Sequence, residues 1–216
     1  MPRKVATGMS LLRRQVMSPS QTHNVIHTPP TWFERLDWDK VFPRRAPIEI
    51  DLGCGDGGFL IESAQRRPEH NFLGVERLLG RIRKVEKKAQ RLGLANVRGL
   101  RIEIAYAAQW LFPAESVAVI HVLFPDPWPK RRHWRRRLFQ PEFVAHVQRA
   151  LQRGGVLNVA TDYAEYFEEM VRVASQQKGF ARREKLDAAL IGVATDFERE
   201  FAAEGKKTFR AQFVKV

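Results

Sequence analysis

Short apolar runs alternate with longer segments of helical periodicity from residue 48 to the C-terminus. Runs of six to eight mostly apolar residues predict strands over 48–53, 71–76, 97–104, 117–124 and 156–161. The segment TFRAQFVKV (208–216) predicts a last strand that is antiparallel to its neighbour.

Amphipathic segments lie between these runs and predict the helices. They cover GFLIESAQRR (58–67), the charged segment 78–92 that Gly93 ends, and the stretches near 141–152 and 164–177. Strands that alternate with helices are typical of an α/β protein with a doubly wound, mostly parallel sheet. We therefore predict that fold class, with an antiparallel C-terminal strand.

The first 44 residues differ from this pattern. They begin with a basic arm and end in the segment WFERLDW, where we expect Trp32, Phe33 and Trp38 to dock on the main body. The basic residues of the arm are Arg3, Lys4, Arg13 and Arg14. We predict a partly flexible basic extension over 1–44 and one domain over 45–216.

Composition indicates a polyanionic partner. The chain has 37 Lys and Arg residues against 24 Asp and Glu, a formal net charge of +13 and a sequence pI of about 10.4. A ribosome-associated protein or a merely cationic surface has the same composition, so these alternatives stay open at this point.

The number of cysteines and the length of the apolar runs indicate the cellular compartment. Cys54 is the only cysteine, which excludes an internal disulfide and favours a reducing compartment. No apolar run approaches the roughly 18 residues that span a membrane, and the N-terminus lacks an apolar signal core. We expect a cytoplasmic protein without a membrane segment. The scattered histidines predict no metal site.

The turn after the first predicted strand is rich in glycine. Gly53, Gly55 and Gly58 have the spacing of a dinucleotide fingerprint, whereas Gly53, Gly55 and Gly57 have the tighter spacing of S-adenosylmethionine enzymes. Under either interpretation Glu76, at the end of the next strand, would hold ribose hydroxyls.

Asp51 favours S-adenosyl-L-methionine as the cofactor. Its carboxylate would repel a pyrophosphate and attract a methionine moiety that carries an ammonium and a sulfonium. A nicotinamide or flavin cofactor, or a purely structural turn, remains the alternative.

Four acids follow successive predicted strands at intervals of about one strand and helix. They are Asp51, Glu76, Glu103 and Asp126. Because parallel strands end at one edge of the sheet, we expect all four to line a ligand site there. Glu103 is the weakest of the four, and its alternative is an exposed strand residue.

Residues 124–137, FPDPWPKRRHWRRR, follow the fourth of these strands. The prolines restrict a loop that carries Asp126 and Trp128, and a dense cluster of cations follows. We predict that the cations of the cluster bind phosphates; they are Lys130, Arg131, Arg132, Arg135, Arg136 and Arg137. The basic face of the helix at 78–92 has two equal explanations, phosphate binding and plain solvation. Trp128 either stacks on a base or packs the loop.

Five motifs in this order resemble the bacterial tRNA (guanine-N7)-methyltransferases, a family of class I methyltransferases with a Rossmann-like fold. They are DLGCGDGGF, FLGVE, FPDPWPKRRHWRRR, ATDYAEY and TDFEREF. The resemblance covers about 45–216. It departs from the family at Asp51, where many relatives have Glu, and at Glu103, where many have Asp.

The resemblance assigns roles to particular positions. It implies that Asp51, Glu76, Glu103 and Asp126 contact the cofactor, together with Gly53 and Gly55, and that Asp126 is also catalytic. It further implies that the substrate tRNA is bound by Lys130, Asp162, Thr195, Asp196, Phe197 and Glu198. Asp162 as a helix cap, and T-x-x-E at 195–198 as a capping box, are the structural alternatives.

The function expected from the resemblance is methyl transfer from S-adenosylmethionine to N7 of guanine in tRNA, at guanine 46 of the variable loop. Two alternatives stay open: an RNA methyltransferase acting on another base nitrogen, and a non-catalytic tRNA-binding protein on the same fold. Monomer and homodimer are both compatible with the sequence.

Overall fold

A computed structural model describes residues 24–216, which form one eight-stranded sheet flanked by helices. The order of the strands in the sheet is β1-β4-β3-β2-β5-β6-β8-β7. The strands are β1 (Ile26–His27), β2 (Ile48–Leu52), β3 (Asn71–Val75), β4 (Val97–Leu100), β5 (Val117–Leu123), β6 (Leu151–Thr161), β7 (Phe180–Arg182) and β8 (Phe209–Lys215).

In the described part of the chain, eight α-helices connect or flank these strands. They are α1 (Trp38–Val41), α2 (Gly58–Arg66), α3 (Leu79–Arg91), α4 (Ile104–Tyr106), α5 (Pro141–Ala150), α6 (Ala164–Gln176), α7 (Ala188–Ile191) and α8 (Asp196–Ala203). A π-helical turn (Ala107–Leu111) continues α4, and a 3₁₀ helix covers Arg131–Arg136.

Apolar side chains form a separate core on each face of the sheet. One core includes Val144 of α5 and Met170 of α6, and the other includes Leu60 of α2 and Val85 of α3. Strands β1 to β6 pair with one another in parallel, whereas β8 pairs antiparallel with β6 and β7. The predicted fold class is confirmed, including the antiparallel C-terminal strand.

Two predicted element boundaries are wrong. The strand expected over 97–104 ends at Leu100, because Glu103 caps a short helix in its place by accepting a hydrogen bond from the Tyr106 N–H at 2.8 Å. The strand expected over 156–161 starts five residues earlier, at Leu151, where α5 ends directly before it.

The segment before β2 packs on the body of the protein through two of its three predicted aromatic residues. Trp32 and Trp38 lie against the larger core, and the Tyr106 hydroxyl donates to the Trp32 carbonyl at 2.9 Å. Phe33 is 87% exposed, so its predicted docking is wrong. The predicted basic arm lies outside the described residues, and the division of the chain at residue 45 stays a prediction.

No helix within residues 24–216 is long and apolar enough to cross a membrane. In the same part of the chain, no three His, Cys, Asp or Glu side chains are grouped as a metal ion would require.

Candidate functional site at the carboxyl edge of the sheet

The glycine loop between β2 and α2 forms one wall of the site. Gly53, Gly55 and Gly57 all have positive φ, at 87°, 55° and 78°, a conformation that glycine adopts without strain. A Cβ at Gly57 would lie 2.7 Å from Val85 of α3, so a side chain there would also separate α2 from α3. The tighter of the two predicted glycine spacings therefore matches the residues that shape the turn.

Gly58 is close to a residue of a distant helix. A Cβ atom there would lie 2.5 Å from a carboxylate oxygen of Asp196, which belongs to the distant helix α8. The absence of a side chain at Gly58 thus lets the start of α8 lie against the start of α2.

Asp51 is a buried acid that has no Lys, Arg or His nitrogen within 4.0 Å among residues 24–216. Burial, and then the negative charge of Glu76, raise the pKa of Asp51 to about 7. Glu76 is buried as well, but one of its oxygens accepts the Leu78 N–H at 2.8 Å and the other lies 3.8 Å from Arg81 Nη1. A ligand that brings a positive charge to Asp51 would remove the cost of ionising it.

A cavity of about 610 Å³ opens beside this pair of acids. Three of the four predicted strand-end acids line it, namely Glu76, Glu103 and Asp126. The fourth, Asp51, lines a smaller adjoining cavity, and the two cavities share Gly53, Arg81 and Phe197 in their walls. The structure therefore brings the predicted cofactor-binding residues to one edge of the sheet.

The loop that carries Asp126 has an unusual backbone. Phe124 and Trp128 flank it with positive φ values of 53° and 41°, which non-glycine residues adopt at a cost in energy. Asp126 is exposed and lines the large cavity. Trp128 packs edge-on against His133 with ring centroids 5.7 Å apart, and the guanidinium of Arg136 lies 5.2 Å from its ring centroid. Trp128 thus packs the loop while still lining the cavity.

Arg137 does not belong to the phosphate-binding cluster, which corrects the prediction for this residue. Its side chain is buried between the rings of Trp134 and Tyr166, 4.6 and 5.0 Å from their centroids. Its Nε donates to the Pro127 carbonyl at 2.8 Å, and its guanidinium pairs with Glu169 of α6 and, more weakly, with Glu165. Arg137 anchors the Asp126 loop to the body of the protein.

The five remaining cations of the cluster are exposed. They are Lys130, Arg131, Arg132, Arg135 and Arg136. Within residues 24–216 no carboxylate lies within 4.0 Å of them, and Arg136 also lines the large cavity. Their charge is therefore available to a polyanion beside Asp126.

The stretch Thr195–Glu198 forms the capping box of α8. The Thr195 hydroxyl accepts the Glu198 N–H at 3.0 Å, and Glu198 accepts the Thr195 N–H at 2.8 Å. Thr195, Asp196 and Phe197 line the small cavity, and Phe197 lines the large one too. Glu198 instead pairs with Arg210 of β8.

Three predicted substrate-binding residues stand apart from the cavities. Lys130, Asp162 and Glu198 line neither cavity. Asp162 does not cap α6 either, because Tyr163 is the N-cap residue and makes no side-chain cap. The alternative of Asp162 as a helix cap is wrong.

A row of buried polar side chains crosses the middle of the sheet and was not predicted. Glu49, His121, Asn158 and Gln212 lie on β2, β5, β6 and β8, and all four are buried. His121 Nε2 lies 3.0 Å from Glu49, Asn158 Nδ2 lies 3.0 Å from His121 Nδ1, and Gln212 Nε2 lies 3.3 Å from Asn158. The signal in the sequence is that each of the four lies between two apolar residues of its strand.

This row ends at the segment that leads to α8. Gln212 accepts the Asp187 N–H at 2.7 Å, and Asn158 donates to the Leu190 carbonyl at 3.4 Å. Burial lowers the pKa of His121 despite Glu49, so its ring is neutral at pH 7, with the proton on Nε2 directed to Glu49. The row fastens α7, and hence the start of α8, to the sheet.

Comparison with known proteins agrees with this architecture. A family model described as a putative methyltransferase matches residues 45–211. The tRNA (guanine-N(7)-)-methyltransferase of Thermotoga maritima is 35% identical over 174 residues, which are 81% of this chain and 56% of that protein. The protein of the same name from Nocardia farcinica is 40% identical over 67% of this chain and 54% of its own length. The chain thus spans little more than half the length of these two relatives.

Solved structures support the fold. The crystal structure of the 16S rRNA methyltransferase KamB superposes with a TM-score of 0.60 at 18% identity, over 84% of this chain and 94% of that one. The resemblance expected from the five motifs is confirmed by the curated relatives. The chain belongs to the methyltransferase family whose model spans residues 45–211.

Proposed function

We propose that this protein transfers a methyl group from S-adenosyl-L-methionine to N7 of guanine in tRNA. The observation that carries the proposal is the large cavity: three acids line it, and so does Arg136, an exposed cation that has no carboxylate within 4.0 Å among residues 24–216. The names of the relatives from Thermotoga maritima and Nocardia farcinica support the same reaction.

The residues present fit the cofactor. Asp51 is buried with its pKa raised to about 7 and has no cation beside it, so an ammonium group would satisfy it. Glu76 offers carboxylate oxygens to ribose hydroxyls. Gly53 and Gly55 have no side chains and expose backbone, Gly53 to both cavities and Gly55 to the smaller one. In the proposal these residues hold the cofactor together with Glu103 and Asp126.

When bound, S-adenosylmethionine supplies a methyl group on a positively charged sulfur, and guanine N7 accepts it through a lone pair without losing a proton. The protein therefore needs no general base at N7. Its contribution is alignment, which is worth several kcal/mol in favourable cases, roughly 7–11 at the upper limit. Asp126 would orient the guanine edge and stabilise the positive charge that develops on the purine.

The tRNA would be held by two groups of residues. Lys130 and the exposed arginines beside it bind phosphates, and Asp162 with Thr195–Glu198 contacts the region of the target guanine. Phe197 lines both cavities and lies 6.1 Å from Phe124 between ring centroids, so it offers an aromatic face to a base. We further propose that the methylated guanine is guanine 46 of the variable loop. We also propose that the protein is cytoplasmic.

The test uses the full chain, unmodified tRNA and S-adenosylmethionine with a labelled methyl group. Digestion to nucleosides should give labelled 7-methylguanosine, and Asp126→Ala should lower the rate at least a hundredfold, in the range typical of losing one electrostatic stabiliser. A tRNA with adenine in place of guanine 46 should remain unlabelled.

Other outcomes would overturn parts of the proposal. Label on a different nitrogen would indicate an RNA methyltransferase with another target. Tight tRNA binding without any label would indicate a binding protein on this fold. Label retained in the tRNA that lacks guanine 46 would exclude that position as the target.

A further inference from the structure

The basic face of α3 has two classes of cation. Arg81, Lys84 and Lys88 are engaged: Arg81 lies 3.8 Å from Glu76, Lys84 lies 2.7 Å from an Asp56 carboxylate oxygen, and Lys88 donates to the Asp56 carbonyl at 2.8 Å. These three fasten the helix to the glycine loop and the site. Their charge therefore has a structural explanation.

The other three cations lie at intervals of four residues and form a ridge along the outside of α3. The α3 ridge consists of Arg83, Lys87 and Arg91, all exposed. Across residues 24–216 no carboxylate comes within 4.0 Å of any of them, including Glu86, the single acid of α3. Four residues of helix rise about 6 Å, so the ridge is about 12 Å long.

Helix stability does not account for this ridge. Like charges four residues apart on a helix destabilise it. The helix dipole favours a cation at Arg91, in the last turn, but gives nothing to Arg83 or Lys87. The pattern is therefore one that a partner of opposite charge would stabilise.

The position of the ridge relative to the cavity indicates which partner. Helix α3 starts three residues after Glu76 and runs back between the parallel strands β3 and β4, away from the carboxyl edge. Arg81 in its first turn lines the large cavity, and Arg136 lines it too, from the basic loop. Arg81 and Arg136 thus place positive charge in the wall of the large cavity, and the exposed ridge lies on the same helix as Arg81.

We propose that the α3 ridge is a second RNA-binding surface, which contacts the backbone of the substrate RNA away from the methylated base. This inference rests on the proposed function, because it supposes that the base in the cavity belongs to a long RNA. Along one strand, about 12 Å corresponds to roughly three or four phosphates at about 3.4 Å each along the axis. The basic loop and the ridge would then hold the RNA on two sides of the target base.

The test compares two triple variants of the full chain that lose the same charge. One is Arg83→Gln with Lys87→Gln and Arg91→Gln. The control is Arg153→Gln with Lys178→Gln and Arg182→Gln, three exposed cations at or near the opposite end of the sheet, where β7 is the edge strand. In the described residues these three also have no carboxylate within 4.0 Å. A thermal melt of each variant verifies that it is folded.

The dissociation constant for unmodified tRNA is measured between about 50 and 200 mM salt. For the ridge variant, the slope of log affinity against log salt should fall by about 2 to 3, at roughly 0.7–0.9 per lost phosphate contact. The KM for tRNA should rise about tenfold or more, with kcat and the affinity for S-adenosylmethionine unchanged, since no ridge residue lines a cavity. The control should behave as the unaltered protein.

A ridge variant with the slope and KM of the unaltered protein would overturn the inference. Equal changes of the salt slope and of the KM in the two triple variants would also overturn the inference, because such changes would reflect the net charge alone. If the unaltered protein binds RNA with a ridge-dependent slope but methylates none, the RNA surface stands and the proposed reaction fails. If it methylates tRNA and the ridge has no effect, the reaction stands and the surface fails.

Discussion

Two acids on β2, Glu49 and Asp51, are two residues apart on the same strand and are both buried. Their pKa values are nevertheless shifted in opposite directions. Burial alone would raise the pKa of Glu49, but hydrogen bonds from His121 and His70 and the charge of Arg67 lower it to about 2. Burial raises the pKa of Asp51 to about 7, and Glu76 adds to the rise.

The difference separates an acid that is compensated within the fold from one that is not. Glu49 has its partners within the fold: Arg67 at 3.0 Å, His70 at 2.5 Å and His121 at 3.0 Å. Asp51 lines the small cavity, and in the proposed function the cofactor's ammonium group is its partner. A buried charge that the fold leaves uncompensated is costly, and such groups cluster at functional sites.

The largest effect is expected for Glu49→Gln. Removing one partner of a buried ionic cluster should cost about 3–5 kcal/mol in the free energy of unfolding at pH 7. Because the folded pKa is lowered, the stabilisation by Glu49 is present above about pH 4.5 and is lost as the pH falls toward 2. Urea unfolding at several pH values measures the difference. A variant as stable as the parent at pH 7 would remove Glu49 from the structural role.

Asp51→Asn should stabilise the cofactor-free protein, in contrast to Glu49→Gln. The folded pKa of Asp51 is raised, so its contribution to stability is complete below about pH 4 and is lost as the pH rises through 7. Because Asn cannot ionise, the variant does not lose this stability. Its free energy of unfolding should exceed that of the parent by roughly 2–4 kcal/mol at pH 8, with little change at pH 4. The same variant should bind S-adenosylmethionine at least tenfold more weakly.

The matched control for Asp51→Asn is Asp56→Asn in the same glycine loop. Asp56 is partly exposed and already pairs with Lys84 at 2.7 Å, so its effect on the pH dependence should be small. Parallel pH profiles for the parent and Asp51→Asn would contradict the assignment of Asp51 as the uncompensated acid.

Arg137→Gln extends the comparison to a cation. Arg137 is buried but compensated, by Glu169 on α6 and by the Pro127 carbonyl, so its loss should cost about 2–3 kcal/mol, moderated by the partial exposure of Glu169. Arg136→Gln, one residue away and exposed, should change stability by less than about 0.5 kcal/mol. Thermal melts of the two variants measure this contrast, and equal shifts would refute it.

Glu198→Gln should have the smallest of these effects, about 1 kcal/mol. Glu198 contributes half of the capping box of α8 and pairs with Arg210, and both side chains keep a small contact with water. A melt of the variant should shift by a few degrees at most for a chain of this size. A shift like that of Glu49→Gln would place Glu198 among the fully buried clusters.

Prediction from the sequence was most reliable for features that depend on the spacing of residues along the chain. Alternating apolar and amphipathic segments predicted the mostly parallel sheet, and the intervals between Asp51, Glu76, Glu103 and Asp126 placed these acids at its carboxyl edge. It failed at Arg137, which has the same side chain as Arg131, Arg132, Arg135 and Arg136 in FPDPWPKRRHWRRR and differs only in the direction of that side chain. It also missed the row from Glu49 to Gln212, whose members are far apart in the chain.

The sequence by itself determined the alternation of the main strands and helices, the glycine turn and the excess of positive charge, because periodicity and composition act locally. It did not predict β1, β7 or α7. Only the tertiary structure decided which charges are compensated. Helix α8 comes to lie on the glycine loop, where Asp196 meets Gly58, and α6 supplies the acids that hold Arg137. The physical reason is that burial and ion pairing depend on residues brought together by packing. The same side chain is therefore structural at one position and available to a ligand at the next.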